Sequence, residues 1–81
     1  MINSAQIKAA RALAGLTQDD IAKSTGLSVQ TIKRMESLGT GRSSTDNVLA
    51  VMRALQTAGV VFIAENGGGA GVRLAKPGGA E

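Results

Sequence analysis

The stretch from Thr17 to Glu36, TQDDIAKSTGLSVQTIKRME, constrains this chain more than any other. Thr17 stands three residues ahead of Asp20 and just before the apolar pair Ile21-Ala22, which is the capping-box signature of a helix start. Gly26 follows Thr25 where a helix C-terminus most readily takes a left-handed residue, and Ser28 is placed to cap a second helix. That second helix is expected from Val29 to about Ser37. Within it Ile32, Met35 and Glu36 share one side, whereas Val29, Gln30, Lys33 and Arg34 fall largely on others. A short helix, a glycine turn and a second helix with exposed polar residues make a helix-turn-helix.

The remaining segments read as support for this pair. Asn3 with Gln6 three residues on predicts a cap for a first helix over Ser4 to Ala14, carrying Ile7, Ala10 and Ala14 at helical spacing and ended by Gly15. Leu16 is the apolar plug before the Thr17 cap, in staple position toward Ile21. The helix expected over Gln18 to Thr25 follows. Leu38 to Ser44, rich in Gly and Ser, reads as a surface loop. Ser44 caps a fourth helix over Thr45 to Thr57, with Val48, Leu49, Met52 and Leu55 as its apolar stripe. The pattern then changes. Val60 to Ala64 is β-branched and aromatic, Asn66 to Gly71 turns the chain, and Val72 to Leu74 alternates as a second strand. A lone two-stranded hairpin is marginal in water, so it must pack on the helices, pair with a second copy, or both. The expected fold is therefore mainly α: a four-helix domain over residues 1–58, a C-terminal β-hairpin over 59–75 that is a possible dimerisation element, and a disordered tail over 76–81.

Composition narrows the chemistry. An 81-residue chain with one Phe and neither Trp nor Tyr must fill a small core with Ala, Leu, Ile, Val and Met, and its stability can lean on self-association. Cysteine and histidine are both absent, which removes disulfides, thiolate metal sites and the commonest general base. No apolar run approaches the ~20 residues of a membrane span, and the N-terminus lacks the pattern of a secretory leader, so a cytoplasmic location is expected. The Gly67-Gly68-Gly69-Ala70-Gly71 run follows a strand, yet no Gly-Lys-Ser/Thr or helix follows it, as a phosphate loop requires. Asp19-Asp20 is explained by the favourable charge of a helix first turn rather than by paired catalytic carboxylates. Neither enzymatic activity nor a cofactor or metal is expected. The net charge of +3 permits a polyanionic partner, and its placement says more: Lys23, Lys33, Arg34 and Arg42 lie in or just after the two-helix stretch, where such a motif meets phosphates.

The residues from Ile7 to Leu55 resemble the phage-repressor and Cro class of bacterial and phage regulators, the XRE family. The resemblance rests on Arg11, Gly15-Leu16-Thr17-Gln18, Ile21-Ala22, Gly26-Leu27-Ser28, Ile32 and Glu36 in that order and spacing. It implies a sequence-specific DNA-binding transcriptional regulator, a repressor acting as a homodimer on double-stranded DNA in the bacterial or phage nucleoid. It also implies residue roles. Val29, Gln30 and Arg34 match base-reading positions. Gln18 matches a phosphate-gripping position, with Ser28, Thr31, Lys33 and Arg42 as further backbone contacts, and Arg11 with Glu36 matches an ion pair joining the first helix to the third. Two alternatives remain open: an antitoxin that also binds a toxin, and an interaction module that has lost DNA binding and engages a protein partner. Where many members continue into a fifth helix for dimerisation, this chain turns into a hairpin, which leaves Val60 to Ala64 as the expected two-fold contact.

Overall fold

A computed structural model describes residues 2–75 of the chain, and the tail expected at 76–81 lies outside the described residues. Four helices stand where capping chemistry places them: α1 (Ser4–Ala14), α2 (Gln18–Thr25), α3 (Val29–Leu38) and α4 (Thr45–Thr57). Each start is closed by a side chain that takes an otherwise orphaned amide: Asn3 from Gln6, Thr17 from Asp20, Ser28 from Thr31 and Ser44 from Asn47. The first two are full capping boxes, with Gln6 and Asp20 returning a bond to the cap's own N–H. Gly26 has φ 76°, a left-handed conformation that lets its N–H bond Ala22 and turns the chain into α3 within two residues.

The core gathers one face from every helix. Ile7 and Ala10 of α1, Ile21 and Ala22 of α2, Ile32 and Met35 of α3, and Val48, Val51 and Leu55 of α4 are buried together with Ile2 and Val60. Two expectations need correcting. The buried stripe of α4 centres on Val51 rather than on Leu49 and Met52, since α2, α1 and the first strand all pack on that side. Ile2, ahead of the first helix, is also core, held where the Thr40 hydroxyl donates to its carbonyl at 3.0 Å. The loop after α3 begins one residue later than expected, at Gly39, and winds into a single 3-10 turn over Thr40–Arg42.

The C-terminal segment forms the expected hairpin. Strands β1 (Val60–Ile63) and β2 (Gly71–Leu74) pair antiparallel, with Val60 opposite Leu74 and Phe62 opposite Val72. Val60 is buried and Phe62 and Val72 pack on the core, so the hairpin closes one side of the helical domain, against α1 and α4. Gln6 secures it from below. Its side-chain amide donates to the carbonyls of Ile63 (3.3 Å) and Gly71 (3.0 Å), which ties the N-terminus of α1 to the loop end of the hairpin. No helix among the described residues is long and apolar enough to cross a membrane.

Candidate nucleic-acid interface

The surface of interest begins with a buried charge. Glu36 on α3 is only 5% exposed, and an unpaired carboxylate there would be costly. Arg11 of α1 meets it with a fork: Nε donates to Oε2 at 2.9 Å and a terminal nitrogen to Oε1 at 3.0 Å. A third Arg11 nitrogen bonds the Leu16 carbonyl at 3.2 Å, so one guanidinium fixes α3, α1 and the linker into α2. Hydrogen bonding to Glu36 raises the Arg11 pKa above its already high range, the Glu36 charge adds to this, and burial opposes it. The pair thus sets the angle at which α3 leaves the core.

Glu36 holds a second partner. Gln18, the first residue of α2, donates its side-chain amide to Oε1 at 3.1 Å. Arg11, Glu36 and Gln18 therefore form one chain of bonds across three helices, in which the Gln18 bond goes beyond both the capping pattern and the ion pair that the family resemblance implies. A primary amide carries two N–H bonds, and the bond to Glu36 uses one of them.

On α3 itself, Gln30, Lys33 and Arg34 are exposed. Val29 is half-buried and packs partly against the core, so of the three base-facing candidates it offers the least free surface. Ser28 caps α3, and its hydroxyl lies 2.9 Å from that of Thr31, so these two candidates are engaged with each other as well as placed at the helix start. Arg42 is exposed in the 3-10 turn beside the C-terminal end of α3. At the start of α2, the Thr17 backbone N–H bond to Asp20, the bond with its hydroxyl, and then the charge of Lys23 hold the Asp20 carboxyl below the usual carboxylate range.

A shallow pocket of about 370 Å³ opens between α1, α2 and α3, lined by Lys8, Gln18, Lys33, Glu36 and Ser37. Lys8 was absent from the sequence-derived set. The available signal was its spacing, since it precedes Arg11 by three residues and so shares the flank of α1 that faces α3. The sequence presents Gln6 as a capping partner, and its second bonds, to strands far along the chain, have no local signature.

Compared with known proteins, the chain matches a helix-turn-helix family model over residues 7–61, more than half of its length. None of the curated proteins matches it.

Proposed function

The chain belongs to the XRE-type helix-turn-helix family of DNA-binding regulators, and from that premise we propose that it is a sequence-specific transcriptional repressor acting as a homodimer. In this reading α3 lies in the major groove. The Gln30 amide bridges the N6 and N7 edge of adenine, the Arg34 guanidinium forks onto O6 and N7 of guanine, and Val29 contacts a thymine methyl, the two polar pairs each contributing about 1–3 kcal/mol of discrimination. Gln18, Ser28, Thr31, Lys33 and Arg42 hold the sugar-phosphate backbone and set the register without reading sequence.

The observation that carries the proposal is the bond from Gln18 to Glu36, beside the exposed Gln30, Lys33 and Arg34. Glu36 takes one amide hydrogen of Gln18, leaving the other for a phosphate at the N-terminus of α2, where the helix dipole favours an anion. The same carboxylate is locked by Arg11, so the phosphate-binding helix and the reading helix are fixed relative to each other before DNA arrives. Rigid presentation lowers the ordering cost of binding. A dimer would present two such helices to half-sites about 34 Å apart, and occupancy of a promoter would block transcription. Selection of bound sites from random duplex DNA tests this directly. A palindromic consensus is the expected result, and failure to enrich any sequence would overturn the sequence-specific reading.

A further inference from the structure

The two strands of the hairpin offer unlike edges. The bond from the Ala75 N–H to the Gly59 carbonyl (2.7 Å) fixes the phase of the ladder: Gly59 faces Ala75, Val61 faces Arg73 and Ile63 faces Gly71 at hydrogen-bonded positions, and the residues between them turn their backbone groups outward. On β2 these outward residues are Val72 and Leu74. Their N–H and C=O groups find no partner in the rest of the described chain, since the Gln6 amide goes to Ile63 and Gly71 instead. Arg73 and Leu74 are exposed, and Arg73 has no carboxylate within salt-bridge distance among the described residues. The packed pair α1 and β2 carries Lys8, Arg11 and Arg73 and no acidic residue, and Arg11 is already taken by Glu36. An edge strand left open in this way is a template for another chain, and its charge selects which chain.

We infer that the outer edge of β2 receives an extended, acidic segment of a different protein, which adds a third strand to the sheet. A second copy of this chain is the wrong occupant here. In a two-fold pairing of β2 with itself, the register that engages both Val72 and Leu74 of each copy sets Arg73 directly against Arg73 of the other copy. That is a non-hydrogen-bonded position, where side chains stand closest and like charges repel. The equivalent register of β1 sets Val61 against Val61 on a strand without charge, so self-pairing suits β1 and a foreign strand suits β2. In the added strand a carboxylate faces Arg73, the Val72 and Leu74 groups supply the main-chain bonds, and β-branched neighbours cover Leu74, which is 45% exposed. The inference stands apart from the DNA-binding reading, because it uses no residue of α2 or α3.

The test selects short peptides displayed on phage against the full chain and against Arg73→Glu, then adds a selected peptide to the protein while amide exchange is followed by NMR. Arg73 is exposed and unpaired, so the variant keeps the wild-type fold, checked by its unfolding temperature. Wild type is expected to enrich peptides with Asp or Glu among β-branched residues, and Arg73→Glu to enrich Lys or Arg in that place. Each selected peptide should bind the other variant about tenfold more weakly, since like charges then meet across the new pair. Bound peptide should slow exchange at the Val72 and Leu74 amides, which have no partner in the free protein. Failure to enrich any peptide, the same peptides from both variants, or Val72 and Leu74 amides that stay fast would each overturn the inference. So would protection of those amides that grows with the concentration of the protein alone, the mark of a second copy on this edge, or protection by duplex DNA without peptide.

Discussion

Single side chains on this surface divide by what each can offer, and the division makes separable predictions. Gln30→Ala and Arg34→Ala remove directional donors from the exposed face of α3, so each is expected to relax preference at particular base pairs by about 1–3 kcal/mol, read by binding to single-base variants of the selected site. Gln18→Ala and Arg42→Ala should instead weaken binding to all sequences alike. These two differ from each other in salt dependence: Arg42→Ala loses a cation and should lower the salt slope by about 0.9, whereas Gln18→Ala loses a neutral donor and should leave the slope unchanged. Equal behaviour of all four would abolish the distinction between reading and positioning residues. Glu36→Ala is a change of another kind. It strands the Arg11 guanidinium, which is 25% exposed, and releases Gln18, so a stability loss of about 2–4 kcal/mol in urea unfolding is expected together with weaker DNA binding. At this scale the ion pair was legible only through the family resemblance, in which Arg11 and Glu36 match paired positions. The Gln18 bond to Glu36 and the Gln6 bonds to the hairpin were not, because a glutamine's partner is set by which helix lies across from it, and spacing along one helix carries no record of that.

Elements, by contrast, were largely legible where local chemistry writes them. The four helix starts coincide with Asn3, Thr17, Ser28 and Ser44, since a cap is a contact between residues three apart and needs no tertiary knowledge. The buried face of α4 was harder, as Val48, Leu49, Val51, Met52 and Leu55 are all apolar and allow more than one stripe; packing against α2 and β1 selects Val51. The glycine turn between α2 and α3 gives a clean test of local against tertiary control. A Cβ on Gly26 would meet no atom within 4 Å, so the cost of Gly26→Ala is the left-handed backbone alone, about 1–2 kcal/mol, with Gly26→Asn milder because Asn tolerates that conformation. A much larger loss in thermal unfolding would mean that the turn is held by packing instead. The α2 cap also carries a pH signature. The Asp20 carboxyl is lowered in the folded protein by its bonds with Thr17, so its contribution is present above the unfolded carboxylate pKa and is lost as pH falls through the folded value. The stability difference between wild type and Asp20→Asn, measured by unfolding at a series of pH values, should therefore shrink toward acid pH; a difference that stays constant would sink the assignment.

For the whole molecule, its dimensions limit how the proposed homodimer can be built. Principal extents of 36 × 31 × 19 Å set the centroids of two copies placed side by side along either long direction about as far apart as two half-sites, so in the proposed dimer the contact is expected on a flank of the domain. The hairpin lies on such a flank, against α1 and α4, and each of its strands leaves one edge unpaired. A strand of four residues cannot alone supply the ~800 Å² per partner of a standard interface, so neighbouring apolar surface must join it. An open groove of about 670 Å³ beside the hairpin offers Met52, Phe62 and Ala64 among the polar Asn3, Gln6, Gln56 and Glu65. Phe62 packs partly on the core, which makes it a poor probe, because its loss would weaken fold and contact together. Val61 is better. It pairs with Arg73, so the strand's alternation sets it on the face opposite Val60 and Phe62, and it is half-buried without belonging to the core. If β1 forms the two-fold contact, wild type should sediment as a dimer at micromolar concentration. Val61→Lys should then sediment as a monomer with nearly unchanged unfolding temperature, and should bind a palindromic site far more weakly than a single half-site contact is weakened. A wild-type monomer under these conditions would remove the homodimer, and with it the expectation of a palindromic operator, while leaving the fold and the assignment of α3 intact.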